Sequence, residues 1–255
     1  MKTAVKFTLG LVAALALTIS QAQAQFSLTT TYTQNFDSMG TTGTTAPTGW
    51  FVGTGVTNGA LTATTILVGT GSGTTGGNYN FGSNGVNLAT DRALGSLGSG
   101  STARLTEFRF TNNTGLTIDS LTISWTGEQY RVGGTAAVDN ELALFYSTDG
   151  STFTAAGTDA FDFHTPVDAG TAAALDGNAA ANRVTGLGGT ISALSIADGA
   201  TFYLRWVDGD SPSSENAVSI DDLTIAFTTV PEPSTVSLVG LGLVGMLTFA
   251  RRRRS

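Results

Sequence analysis

Apolar and polar side chains alternate along most of this chain with the two-residue period of a pleated strand. Leu121, Ile123 and Trp125 fall on one face with Thr122, Ser124 and Thr126 opposite, the pattern of a half-buried strand. Phe108 and Phe110 share a face within Thr102 to Thr111, and Asn113-Thr114-Gly115 marks the turn between these two strands. Leu142, Leu144 and Tyr146 line one side of Glu141 to Ser147, and Asp149-Gly150 then turns the chain into Ser151 to Thr154, which reads as a hairpin. Phe202, Leu204 and Trp206 alternate with Tyr203 and Arg205 in Thr201 to Val207. Trp125 and Trp206, on the apolar faces, are assigned to the core. Further strands are expected at Phe26 to Phe36, Trp50 to Val52, Ala60 to Val68 and around Phe161 and Phe163.

The last strand, Ala217 to Phe227, changes phase. Val218 and Ile220 lie in one register, while Leu223, Ile225 and Phe227 lie in the other. One extra residue in a strand is what a β-bulge accommodates, so a bulge is expected at Asp221 or Asp222. Two stretches read differently. Gly69 to Gly85 is almost all Gly, Ser, Thr and Asn and reads as a long surface loop tacked down by Tyr79 and Phe81. Ala169 to Ala181 is Ala-rich but interrupted by Gly170 and Gly177, enough for a turn or two of helix at most.

About ten strands with Gly/Ser/Thr/Asp turns and almost no helix predict an all-β fold, a two-sheet antiparallel sandwich of jelly-roll type. The first and last strands, Phe26 to Phe36 and Ala217 to Phe227, are expected to pair. No fixed repeat is visible, which disfavours a propeller or β-helix.

Both ends depart from this pattern. Lys2 and Lys6 precede an apolar stretch, Phe7 to Ile19, and the small-residue site Ala22-Gln23-Ala24 before Gln25, the layout of a secretory signal peptide over 1–24. At the other end, Pro231-Glu232-Pro233 forbids a helix from running back through it, and the apolar run Val236 to Ala250 leads into Arg251, Arg252, Arg253 and Arg254. From Ser234 to Ala250 a helix would rise roughly 25 Å, a marginal span for a hydrocarbon core of about 30 Å. Gly240, Gly242 and Gly245 weaken it further. The arginines hold their end in the cytoplasm, which places the 25–229 body outside, as the signal peptide also requires.

This tail, over 230–255, resembles a PEP-CTERM sorting signal, the bacterial C-terminal tag processed by exosortase. The resemblance implies export through the Sec translocon with signal peptidase cleavage, transient inner-membrane anchoring, and removal of the tail near Pro231 to Pro233. Delivery to the cell surface or extracellular matrix follows. The body, through Phe36-Asp37-Ser38 and Ile220-Asp221-Asp222-Leu223, resembles the galactose-binding-like or concanavalin-like jelly-roll modules of secreted bacterial proteins.

Charge and composition narrow the function. Without its two ends the body has six arginines, no lysine and eighteen acidic residues, a net charge of −12. Such a surface repels nucleic acid and anionic membrane. No cysteine is present, which removes thiol catalysis, Cys-ligated zinc and disulfides. His164 is the single histidine, so multi-His metal sites are impossible and a serine triad is disfavoured. A glycosidase needs only two carboxylates. Glu107, Glu128 and Glu141 lie in or beside strands, but their spacing singles out none of them.

Two binding hypotheses remain. Asp208 and Asp210 after one strand, Asp221 and Asp222 at the expected bulge, and outlying Asp37 could converge on a structural Ca²⁺, although Asp-Gly is equally a plain turn. Exposed aromatic faces with polar neighbours suit sugar rings. Trp50, Tyr79, Tyr130 and Tyr203, with Arg131 and Arg205 as donors, are the candidates; the rival for each is packing in the core. The expected function is a non-enzymatic surface or matrix protein associating with exopolysaccharide. The alternatives are a carboxylate-pair hydrolase and a permanently anchored adhesin.

Overall fold

The computed structural model describes residues 24–82, 90–99, 102–136, 140–210 and 215–231. Residues 1–23, including Ala22, and Glu232, Pro233, the apolar run and Arg251 to Arg254, lie outside the described residues. Among those described, no helix is long and apolar enough to cross a membrane.

Sixteen strands are present among the described residues. In chain order they are β1 (Phe26–Leu28), β2 (Tyr32–Gln34), β3 (Trp50–Gly55), β4 (Thr62–Ala63), β5 (Ile66–Gly69), β6 (Gly77–Gly82), β7 (Arg92–Leu97) and β8 (Ala103–Asn112). Then follow β9 (Thr117–Val132), β10 (Glu141–Ser147), β11 (Thr154–Ala155), β12 (Phe163–His164), β13 (Ala173–Ala174), β14 (Arg183–Ile191), β15 (Thr201–Asp208) and β16 (Ala217–Val230). Helix is limited to single 3-10 turns at Asp37–Met39, Asp159–Phe161 and Ala180–Asn182.

The strands form two sheets packed face to face. Sheet 1 runs β11-β10-β15-β8-β3-β4, with β1 beside β8 and β12 beside β10; sheet 2 runs β13-β9-β16-β7-β6-β5, with β14 beside β9 and β2 beside β16. All pairings are antiparallel except β1–β8 and β5–β6. The stretch expected as one opening strand is therefore split. β1 joins sheet 1, and β2 crosses over to pair with β16, Tyr32 opposite Ile225.

The core lies where the alternation places it. Trp50, Trp206, Phe108, Phe110 and Phe202 from sheet 1 meet Trp125, Ile123, Ile220 and Ile225 from sheet 2. Trp50 and Trp206 stack at 5.5 Å, and Trp125 meets Trp206 edge-on at 5.9 Å. Burying one such ring removes about 200 Å² from water, worth about 5 kcal/mol at about 25 cal/mol/Å². The bulge is present: the β9–β16 register shifts between Asp221 and Thr224, and Asp222 takes a left-handed φ of 48°. The extra residue turns Leu223 and Ile225 onto the same core as Val218 and Ile220.

One expectation is corrected. Inside the expected Gly69 to Gly85 loop lies β6, buried at all six positions. Its polar residues are satisfied within the fold: Asn80 Nδ2 donates to the carbonyls of Gly40 and Gly43, both at 2.9 Å, and Asn80 Oδ1 accepts from Arg92 Nε at 2.7 Å. Between Ala169 and Ala181 the chain forms β13 and enters a single 3-10 turn, within the turn or two of helix at most expected there.

Candidate functional site

The outer face of sheet 2, turned away from the core, is not a plain solvated surface. Its middle strands β7 and β16 present mostly small residues there, Ala93, Gly95, Ala217 and Ser219, beside Leu97, while Tyr79 and Phe81 on β6 and Tyr130 on β9 flank them. The large rings lean over the small residues and meet. Tyr79 stacks on Phe81 at 4.9 Å, and Phe81 stacks on Tyr130 at 4.8 Å, although three strand spacings separate β6 from β9. With Ala93, Leu97 and Ala217 they make a second apolar cluster.

Loops close over this cluster. A Cβ on Gly71 would lie 1.7 Å from the Tyr130 carbonyl oxygen, and one on Gly177 would lie 2.5 Å from its ring, so glycine is required at both approaches. Arg131 Nη1 donates to the Gly71 carbonyl at 3.2 Å, and the Tyr79 hydroxyl donates to the Thr75 carbonyl at 2.6 Å. Between loop and sheet remains a cleft of about 480 Å³ with a floor of Tyr79, Phe81, Leu97 and Ala217 and a rim that includes Ser72 and Thr75. A concave apolar pocket with a few polar groups is the usual form of a small-molecule site.

Beside the rings sit two buried carboxyl groups. Glu128 Oε2 accepts from the Tyr130 hydroxyl at 2.8 Å, and Glu128 Oε1 has no partner. Burial pushes Glu128 up to about 7. Burial, and then the neighbouring Glu128, push Asp221 up to about 9. Both are closed off from solvent, with 1% and 2% exposure, so neither flanks an accessible bond.

The other aromatic and arginine candidates lie elsewhere. Trp50 is fully buried in the central core, its Nε1 donating to the Tyr32 hydroxyl at 2.8 Å, and is not a surface platform. Tyr130, beneath its loop on the outer face of sheet 2, is likewise covered. Arg205 is buried on the outer face of sheet 1, directly across from Glu107. Its Nε donates to Glu107 Oε2 at 2.7 Å, and its Nη1 donates to the carbonyls of Thr57 at 2.8 Å and Gly59 at 3.0 Å. The Phe153 ring covers it at 3.6 Å. These bonds occupy the guanidinium within the fold. Tyr203 is half-buried beside Arg109, which also pairs with Glu107 and lies over Phe51 at 3.9 Å. Alternation could not foresee Arg109 as a member of these clusters, since it occupies an ordinary strand position.

The calcium set does not converge. Asp208 is buried and takes a hydrogen bond from Ser96 Oγ at 2.6 Å, with burial pushing it up to about 7. Asp37 accepts from Asn35 Nδ2 at 2.7 Å and from the Arg92 N–H at 2.9 Å. Asp221 belongs to the buried pair, and Asp210 and Asp222 are exposed. No three acidic or histidine side chains among the described residues are arranged to hold a metal ion. His164 is exposed, in a two-residue strand opposite Glu141.

Residues 229–254 match the PEP-CTERM protein-sorting motif. No curated protein matches the chain in sequence. Among solved structures, the chain is similar to the K3 cleaved adhesin domain of Lys-gingipain from Porphyromonas gingivalis, at 13% identity and a TM-score of 0.40 over 76% of this chain and 98% of that one. It is also similar to the CBM22-1 xylan-binding domain of Xyn10C from Paenibacillus barcinonensis, at 13% identity and 0.34 over 81% and 99%. A third is TmCBM61, solved with β-1,4-galactotriose, at 11% identity and 0.30 over 54% and 72%.

Proposed function

For a chain whose last strand runs straight into an export and sorting motif, we propose a non-enzymatic surface or matrix protein that holds a neutral polysaccharide against the outer face of sheet 2. The observation that carries this reading is the cleft of about 480 Å³ with its aromatic floor and hydroxyl rim. Sugar rings present apolar C–H faces to aromatic surfaces and hydroxyls to polar rims, and the body's −12 charge disfavours polyanionic chains over neutral ones. A binding rather than a hydrolytic role is supported by the burial of Glu128 and Asp221, since hydrolysis needs two carboxyls flanking the scissile bond.

Maturation follows from the motif. The body, from Gln25 to the region of Pro231, is released from its transient anchor and associates with extracellular polymer. Intact mass and fractionation of the protein from its own cells, followed by titration with neutral and acidic oligosaccharides, test both halves. A body cut near Pro233 that binds neutral oligosaccharides, with at least tenfold loss in Tyr79→Ala, is the expected result. A mature chain that binds no glycan, or that cleaves one, overturns the binding reading.

A further inference from the structure

The sorting motif and the folded body overlap. The motif begins at residue 229, whereas β16 runs to Val230, so Thr229 and Val230 are both the last residues of the sheet and the first of the signal. Their pairing is thin. From Thr224 to Thr228 the strand keeps register with Ser124 to Ser120, but it shifts between Thr228 and Thr229 and ends with Thr229 opposite Ile118 and Val230 opposite Thr117. The N–H of Ile118 donates to Ile196 at 2.9 Å, and its C=O accepts from Ile196 at 3.0 Å, on the far side of β9. Both backbone groups of one strand residue point the same way, so Ile118 and Thr229 are a non-hydrogen-bonded pair and the ladder beyond the shift is held by the single pair Thr117 and Val230. Pro231 follows at once and has no N–H to extend the ladder. At this corner Val230 is 43% exposed, and Leu116, next to Thr117, is 37% exposed.

An enzyme that cuts a peptide chain takes the residues on the acyl side of the bond in extended form, commonly by pairing them as an added strand. With the cut near Pro231 to Pro233, those residues include Thr229 and Val230. They cannot pair with Thr117 and Ile118 and with the enzyme at the same time.

Resting on the sorting reading above, we infer that the corner of the sandwich at Leu116, Thr117 and Val230 is the surface that meets the membrane-bound sorting enzyme, and that β16 unpairs beyond its register shift at Thr228 before the tail is cut. Opening two terminal residues lies at the low end of local unfolding energies, and the rate of cutting then follows the fraction of chains that are open. The regular ladder up to Thr228 limits how far the opening spreads. The exposed apolar side chains give the enzyme a contact at the point of approach. The cut itself breaks one peptide bond: the acyl half passes to water, and the leaving amine takes water's proton.

The test staples the corner. Thr117→Cys with Val230→Cys, in the full-length chain in its own cells, places two thiols on opposed strand residues of a protein that has no other cysteine. Antiparallel neighbours lie within disulfide range, and an exported chain meets oxidising conditions. Tail removal is expected to slow at least tenfold, with uncut chain collecting in the membrane and cutting restored by reductant. A control staple, Thr122→Cys with Thr190→Cys, joins β9 to β14 where the two hydroxyls lie 3.0 Å apart, and is expected to leave the rate unchanged. A flexible glycine-serine insert between Val230 and Pro231 is expected to restore cutting of the stapled chain and to speed cutting of the unstapled one. Wild-type cutting of a chain shown to carry the Thr117–Val230 position disulfide overturns the inference, as does an insert that fails to speed the unstapled chain. If the unaltered chain keeps its tail, the sorting reading falls first and takes this one with it.

Discussion

Glu128 and Asp221 are diagonal neighbours across the β9–β16 ladder, Glu128 opposite Ser219 and Asp221 opposite Thr126, and both are buried on the outer face of sheet 2. Diagonal side chains on an antiparallel pair lie close enough to interact. Two carboxylates held this way out of water cannot both ionise at low cost, so the pair keeps a proton on Asp221 through neutral pH.

Stability should therefore fall as pH rises. Glu128 and Asp208 are each pushed up to about 7 and Asp221 to about 9, so the native state holds protons that the unfolded chain releases near pH 4. The stabilisation is complete below the unfolded values and is lost as pH climbs through the folded ones. Urea unfolding is expected to give a declining free energy from about pH 4 to 7, with a shallower loss toward 9. Glu128→Gln should flatten the profile by on the order of 3 kcal/mol. A profile that rises across this window contradicts the assignment.

Glu107 has no exposure and lies between Arg205 and Arg109. Removing one partner of a buried pair leaves a charge uncompensated, so Glu107→Gln is expected to cost about 3–5 kcal/mol in denaturant unfolding. Replacing both members, Glu107→Leu with Arg205→Met, should cost clearly less than the sum of the two single changes. Additive losses would mean that the ion pair contributes nothing as a unit.

Gly71 and Gly73 share one loop but face different constraints. Gly71 has a φ of +76° and its Cβ position meets the Tyr130 carbonyl, whereas the nearest atom to a Cβ on Gly73 is the Tyr79 hydroxyl at 4.0 Å. Gly71→Ala should therefore displace the loop over the cleft, cost about 2 kcal/mol and weaken glycan binding. Gly73→Ala should leave both unchanged. Calorimetry and oligosaccharide titration on the pair distinguish a shaped rim from an incidental loop.

Asp222 tests the bulge directly. At a φ of 48°, Asn or Gly should be tolerated within a few tenths of a kcal/mol, while Val, branched at Cβ, should cost about 1–2 kcal/mol. Equal melting temperatures for Asp222→Gly and Asp222→Val would rule out a left-handed requirement at this position.

Much of the fold was legible because its strands carry their own pattern. The phase slip between Ile220 and Leu223 located the bulge, and the apolar alternation of β8, β9, β10 and β15 assigned their core faces. β6, β7 and β14 were not legible as strands. Their Gly, Asn and Ser residues have low strand propensity, and they are held by partners distant in sequence, such as Asn80 with Gly40 and Arg92. The site misled for a related reason. Alternation separates two faces but assumes that one of them meets water, whereas both faces of each sheet are covered over part of their area. Arg205 and Tyr130 thus occupy outward positions yet are buried, and Trp50 was placed outside when its stacking on Trp206 puts it at the centre.

The position of β16 sets when this protein can fold. It is the third strand of sheet 2's main order, between β9 and β7, and its remaining edge partner is β2 near the start of the body. As the chain emerges N-terminus first, β2, β7 and β9 each lack the partner that joins them until residues 217–230 have followed. Sheet 2 is completed only when the sorting segment is next to leave. Until then the chain is an open, long-range β topology of the slow-folding kind, and the residues that finish its sheet are the ones on which the sorting motif begins.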